Sequence, residues 1–182
     1  MALPDPKPGL VIRYYYLWTR EAAAGRDQGK DRPACLVAAS DSTIRPRFVV
    51  ILPITHTPPD DTMIGVEIPA RVGQALGLDD APSWVVVSEF NVDEWPNGGL
   101  TPLPGRPGVF SYGFIPPRLF ARVKATFLES SGEGRSSGEG VDERPAAVNY
   151  AGCDATVVEA AVSVRAGESG ALSTLSSLAY AI

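Results

Sequence analysis

Phe48-Val49-Val50-Ile51-Leu52-Pro53-Ile54 is an unbroken apolar run, and Val49 to Leu52 makes it the firmest strand of the chain. β-Branched and aromatic residues suit pleated, half-buried positions. Strand-like segments lie on both sides of it. Upstream, Leu10 to Trp18 alternates, with Leu10, Ile12, Tyr14 and Tyr16 on one face and Val11, Arg13 and Tyr15 on the other. Pro33 to Ala39 is a second apolar strand. Downstream, Met63 to Ile68, the continuous run Trp84 to Val87, and Val109 to Phe114 read as further strands. Pro69 to Gly77 predicts a short helix, with proline in its first turn and glycine at its end. Pro116 to Glu129 predicts a closing helix, since Leu119, Phe120, Val123 and Phe127 recur at helical spacing while Arg118, Arg122 and Lys124 can face water. Many short strands with two short helices predict a mainly β (α+β) domain built on a small, strongly bent antiparallel sheet or barrel.

The chain has 182 residues, enough for one domain, or one domain with an appendage. Gly 18 and Pro 17 favour a turn-rich fold over a helix bundle. The domain is expected over residues 1–129. Ser130-Ser131-Gly132-Glu133-Gly134 then recurs as Ser136-Ser137-Gly138-Glu139-Gly140, so 130–144 has flexible-linker composition. Residues 145–182 are rich in Ala, Ser, Val and Gly and read as a weakly specified tail. The net charge of −5 sits in residues 129–182, with 3 Lys/Arg against 8 Asp/Glu, whereas 1–128 carries 13 of each. The acidic pI therefore does not argue against RNA binding by the body, where the local field matters more than the total. Cys35 and Cys153 lie far apart and support neither a disulfide framework nor a zinc site. Met1 to Leu10 has no apolar signal region and no run reaches membrane-spanning length, so a cytoplasmic location without membrane contact is expected.

Three segments, in order, carry a resemblance. Gly25-Arg26-Asp27-Gln28 is followed by Arg32-Pro33-Ala34 and Leu36-Val37; Val50-Ile51-Leu52-Pro53-Ile54-Thr55-His56 comes next; then Ser83-Trp84-Val85-Val86-Val87-Ser88-Glu89. Over roughly residues 9–128 the chain resembles the PemK/MazF family of bacterial toxins from type II toxin–antitoxin modules. That resemblance implies an SH3-like antiparallel β-barrel, usually a homodimer, that cuts single-stranded RNA without a metal or other cofactor. It also implies an antitoxin protein that blocks the RNA groove, and DNA binding by the toxin–antitoxin complex. The chain departs from the family pattern at several places. Val87 stands where many members have a catalytic Arg, the acid is Glu89, Thr55-His56 replaces Thr-Ser, and Arg26 replaces the His of one branch.

Metal-free RNA cleavage needs a base for the ribose 2′-OH, an acid for the leaving oxygen and cations for the phosphorane. Glu89, at the end of an apolar strand, suits the base, or simply meets water or a neighbouring Arg there; His56, the only histidine, suits the acid, or is a loop histidine beside Pro58 and Pro59. Arg26 completes the expected catalytic set. Lys30 and Arg32 can hold phosphate, Arg32 alternatively bonding the strand it precedes. Thr55 and Thr57 can bond phosphate or base, or cap a turn. Trp95, in the unusual insert Phe90 to Pro107, is expected to be exposed and to contact RNA or a partner, or else to fold back as a lid, and Trp84 to be core. Two functions follow: a toxin-like endoribonuclease under antitoxin control, or a non-catalytic barrel that binds a peptide or RNA. No serine-hydrolase elbow, P-loop or dinucleotide fingerprint is present.

Overall fold

The structure is a computed structural model that describes residues 3–25, 29–39, 47–130 and 148–149. In chain order the elements are β1 (Leu10–Tyr16), α1 (Thr19–Ala23), β2 (Lys30–Ala39), β3 (Arg47–Thr55), β4 (Gly65–Ile68), α2 (Ala70–Leu76), β5 (Ser83–Val86), β6 (Phe90–Trp95), β7 (Ser111–Phe114), α3 (Pro117–Ser130) and β8 (Val148–Asn149). The strands form one mainly antiparallel sheet in the order β4-β5-β3-β2-β1-β7, with β6 also pairing β3, and the two-residue β8 pairing β6 in parallel. The sheet curls into a half-barrel. No helix among the described residues is long and apolar enough to cross a membrane.

The apolar run that marked β3 is the pivot of the sheet. On one side β3 pairs β2 from Ala39↔Val49 to Ala34↔Pro53. On the other it pairs β6 over Arg47–Ile51 and then β5 over Ile54 and Thr55. Pro53, which has no N–H to donate, lies where β3 passes from one partner to the other. Register shifts at Leu36/Ala38 and at Val11/Ile12 add local twist, as bulges do.

Both faces of the central strands are buried, which is why these strands read as continuous apolar runs. One cluster contains Val11, Cys35, Leu52, Val85, Val123 and Phe127, covered by α3. The other contains Ile12, Tyr16, Trp18, Leu36, Ile51 and Val86. Alternation within β1 and β2 divides neighbours such as Val11/Ile12 and Cys35/Leu36 between the two. Burial pushes the Cys35 thiol up to about 12, so it is an inert core residue. Gly77, the glycine expected at the end of α2, closes that helix in the left-handed conformation with φ 72°.

Three expectations are revised. The segment from Phe90 opens as strand β6 rather than as an irregular insert: Phe90 and Val92 enter the core, while Asp93 accepts a hydrogen bond from the buried Tyr14 hydroxyl at 2.5 Å. Polar Asn91, Asp93 and Glu94 mask that strand in the sequence. Trp95 is half-buried against the second cluster, not fully exposed, and Trp84 is half-buried, not core. The linker and nearly all of the tail lie outside the described residues.

Candidate functional site

The end of β1 delivers Tyr16 and Trp18 to one end of the second cluster, and α1 starts at the next residue. Trp18 is the anchor. Its ring has the Arg20 guanidinium 5.1 Å from its centroid and the Arg32 guanidinium at 5.0 Å. Planar, weakly hydrated guanidinium groups stack on indole more readily than a lysine ammonium does. Tyr16 meets the same ring edge-on at 5.5 Å. Between β5 and β6, Glu89 turns toward this group, and its Oε1 accepts the Thr19 backbone N–H at 2.8 Å. Glu21 completes the ring of charge, its Oε2 accepting from the Trp18 backbone N–H at 3.5 Å. Arg20, Arg32, Glu21 and Glu89 thus surround one aromatic platform with balanced charge.

Burial dominates the electrostatics here. It raises the Glu89 carboxyl above its ordinary range, against opposing pulls from the Thr19 hydrogen bonds and from Arg20 and Arg32. It lowers the Arg32 guanidinium, with the nearby Arg20 charge adding to that and Glu21, Tyr16 and Glu89 opposing it. The Tyr16 phenol is raised by burial and then by the charge of Glu89. Two buried polar atoms of this group, Tyr16 OH and Arg32 Nε, have no hydrogen-bond partner among the described residues. Buried polar groups are usually satisfied, so these two orphans add to the cost of burying this group.

His56 lies elsewhere. Thr55 pairs with Trp84 in the β3–β5 ladder, which sets His56 beside Ser83 at the start of β5, whereas Glu89 follows the other end. Its Nδ1 is 3.0 Å from the Pro82 carbonyl and 3.2 Å from Ser83 Oγ, and its Nε2 is 3.0 Å from Asp79 Oδ2. The Ser–His–Asp order suggests a nucleophile, but the Ser83 hydroxyl is buried and donates to the Ala81 carbonyl at 3.1 Å. It is committed to the turn. Arg32 and Pro33 are neighbours in β2 and therefore point to opposite faces: Arg32 to the Trp18 platform, Pro33 to the cleft beside His56. Glu89 and His56 are not brought together.

The remaining expected residues fall as follows. Arg26 lies outside the described residues. Lys30 opens β2 opposite Tyr16 and is exposed near the platform. Thr55 Oγ1 accepts the Thr57 N–H at 3.1 Å, the turn-capping alternative, and Thr57 is exposed. Trp95 pairs with Arg47 on β6. Arg20 and Glu21 are not among the expected site residues, and Tyr16 is expected only as a strand residue. Their signal is the stretch Tyr16 to Glu21, where an aromatic strand runs into the adjacent pair Arg20-Glu21.

No protein-family model matches this chain, and no curated protein matches its sequence.

Proposed function

We propose that this chain is a metal-independent endoribonuclease acting on single-stranded RNA, a divergent relative of the PemK/MazF toxins, with its centre at the Trp18 platform. The observation that carries the reading is the half-buried Glu89 carboxylate, raised by desolvation and flanked by two guanidinium groups stacked on one indole. Glu89 takes the proton of a ribose 2′-OH. The 2′-oxygen attacks phosphorus, and the 5′-oxygen departs with a proton from solvent, leaving a 2′,3′-cyclic phosphate and a 5′-OH. Arg20 and Arg32 face the charge that grows on the non-bridging oxygens. Lys30 guides the strand as a phosphate contact. His56 has no part in this step. A homodimer with an SH3-like barrel, an antitoxin covering the platform and a cytoplasmic site of action belong to the same reading.

One observation favours the binding-only alternative. Val87 is fully buried in the first cluster, where many members of the family have a catalytic Arg. On that reading the platform holds RNA or a peptide without cutting it.

The test is incubation of the purified full chain with a long single-stranded RNA in EDTA, beside Glu89→Gln. Discrete cuts with cyclic phosphate ends that vanish in the variant are expected. RNA bound but uncut by folded protein would move the conclusion to the binding-only reading, and neither binding nor cutting would remove both.

A further inference from the structure

We propose that the cleft beside His56, on the sheet face opposite Arg32, holds one unpaired nucleobase of the RNA strand, a proposal that rests on the RNA reading above for its choice of ligand. The cleft has a volume of about 330 Å³ and is walled by Pro33, Leu103, Pro104 and Tyr112 on its apolar side, and by Asp79 and Arg106 on its polar side. Ligand cavities run from about 300 Å³ to 1,000 Å³, so this one suits a single ring system, not an extended ligand.

Two glycines build it. Gly77, at φ 72°, stops α2 and turns Leu78 and Asp79 back to the cleft. Gly105, at φ 65°, makes the tight turn in which Leu103 and Arg106 bridge, so both present themselves to the same space. The polar wall is set before any ligand arrives. His56 Nε2 lies 3.0 Å from Asp79 Oδ2 and its Nδ1 3.0 Å from the Pro82 carbonyl oxygen, so the imidazole bridges the two sides of this wall. Arg106 is exposed at the rim of the cleft.

This combination matches how proteins read unpaired bases. Flat apolar side chains such as Tyr112 and the two prolines cover the ring faces, and a few fixed polar groups meet its edge. Asp79 accepts from a base amino or imino N–H. Arg106 at the rim donates to a ring carbonyl or to the adjoining phosphate. A purely apolar side chain would leave Asp79 and Arg106 unused, and an inorganic anion would leave the apolar walls uncovered.

His56 is the only histidine in the chain, so its ring signals in a proton NMR spectrum report this cleft without assignment work. The full chain is titrated with each of the four nucleoside 5′-monophosphates and with a mixed-sequence RNA hexamer. A saturable shift of the His56 signals is expected with at least one mononucleotide, and at lower concentration with the hexamer. Arg106→Ala, an exposed change that should leave the fold intact, is expected to weaken that binding roughly tenfold. Pro104→Ala weakens it less. No shift with any probe, or a shift indifferent to both cleft variants, overturns the proposal. A mononucleotide that binds as tightly as the hexamer overturns the RNA-strand assignment in favour of a free nucleotide. Cleavage without a His56 shift would leave the Glu89 reading standing and remove this one; a shift without cleavage would do the reverse.

Discussion

The Thr19 backbone N–H donates to Glu89 Oε1 at 2.8 Å, joining the first turn of α1 to the β5–β6 connection. That bond fixes the carboxylate against the Trp18 platform while burial disfavours its charge. A carboxyl whose folded pKa is raised binds its proton more tightly in the folded state than in the unfolded state. Stability is then greatest at acid pH and is lost as pH rises from the ordinary glutamate value of 4.5 through the raised folded value. Glu89→Gln keeps an acceptor for the Thr19 N–H and removes the ionisation. Its melting temperature relative to the natural protein is therefore expected to rise between pH 4 and pH 7, measured by calorimetry at matched ionic strength. A difference constant with pH would mean that the carboxyl is not desolvated as described.

Arg32 discriminates between charge and shape. Its guanidinium stacks on Trp18 with Nε buried, a geometry a lysine ammonium cannot copy. Under the proposed function, Arg32→Ala lowers the rate of RNA cleavage on the order of 100-fold, as loss of a preorganised charge donor does. Arg32→Lys should recover little of it. Single-turnover cleavage of the same RNA by the two variants decides the matter, and full recovery by lysine would reduce Arg32 to a simple point charge.

Gly29 is a test of close backbone packing. A Cβ there would overlap the Tyr16 carbonyl oxygen, where backbone atoms cannot yield as a flexible side chain can. Gly29→Ala is expected to cost about 1–3 kcal/mol, the usual penalty for overpacking. Urea denaturation followed by tryptophan fluorescence would measure it. The loss should come with disturbed Trp18 emission, since Tyr16 packs on that ring.

The closing helix is held by Phe127, which is buried and meets Phe90 edge-on with centroids 5.3 Å apart. Phe127→Ala is expected to destabilise the domain by about 3–5 kcal/mol, measured by the same denaturation. Exposed Arg122→Ala on the same helix should change stability by no more than about 0.5 kcal/mol. Similar losses at both positions would contradict the packing of α3 on the first cluster.

Much of the fold was legible because local pattern and burial agree. The β3 run, the alternation of β1, and the proline and glycine bounding α2 each report a local constraint that tertiary packing does not reverse. β6 was not legible. Its polar residues find partners far away in sequence, as Asp93 does in Tyr14, and such pairings leave no local periodicity. α1 was hidden for a related reason: a five-residue helix has little intrinsic stability, and it is held by its contact with Glu89.

The site divides along the same line. From the sequence alone, Glu89 at a strand end and His56 after another were both reasonable acid–base groups, and that chemistry belongs to the side chains themselves. Whether two such groups can act together depends on strand register and on which face each residue takes. The pairing of Thr55 with Trp84 set His56 beside Ser83, and the parity of β2 sent Arg32 to the Trp18 platform and Pro33 to the other side. Residue types determined what chemistry was available to this chain. Only the tertiary structure decided which groups share it, because side chains on a strand alternate between faces and a single position separates neighbours onto opposite sides of the sheet.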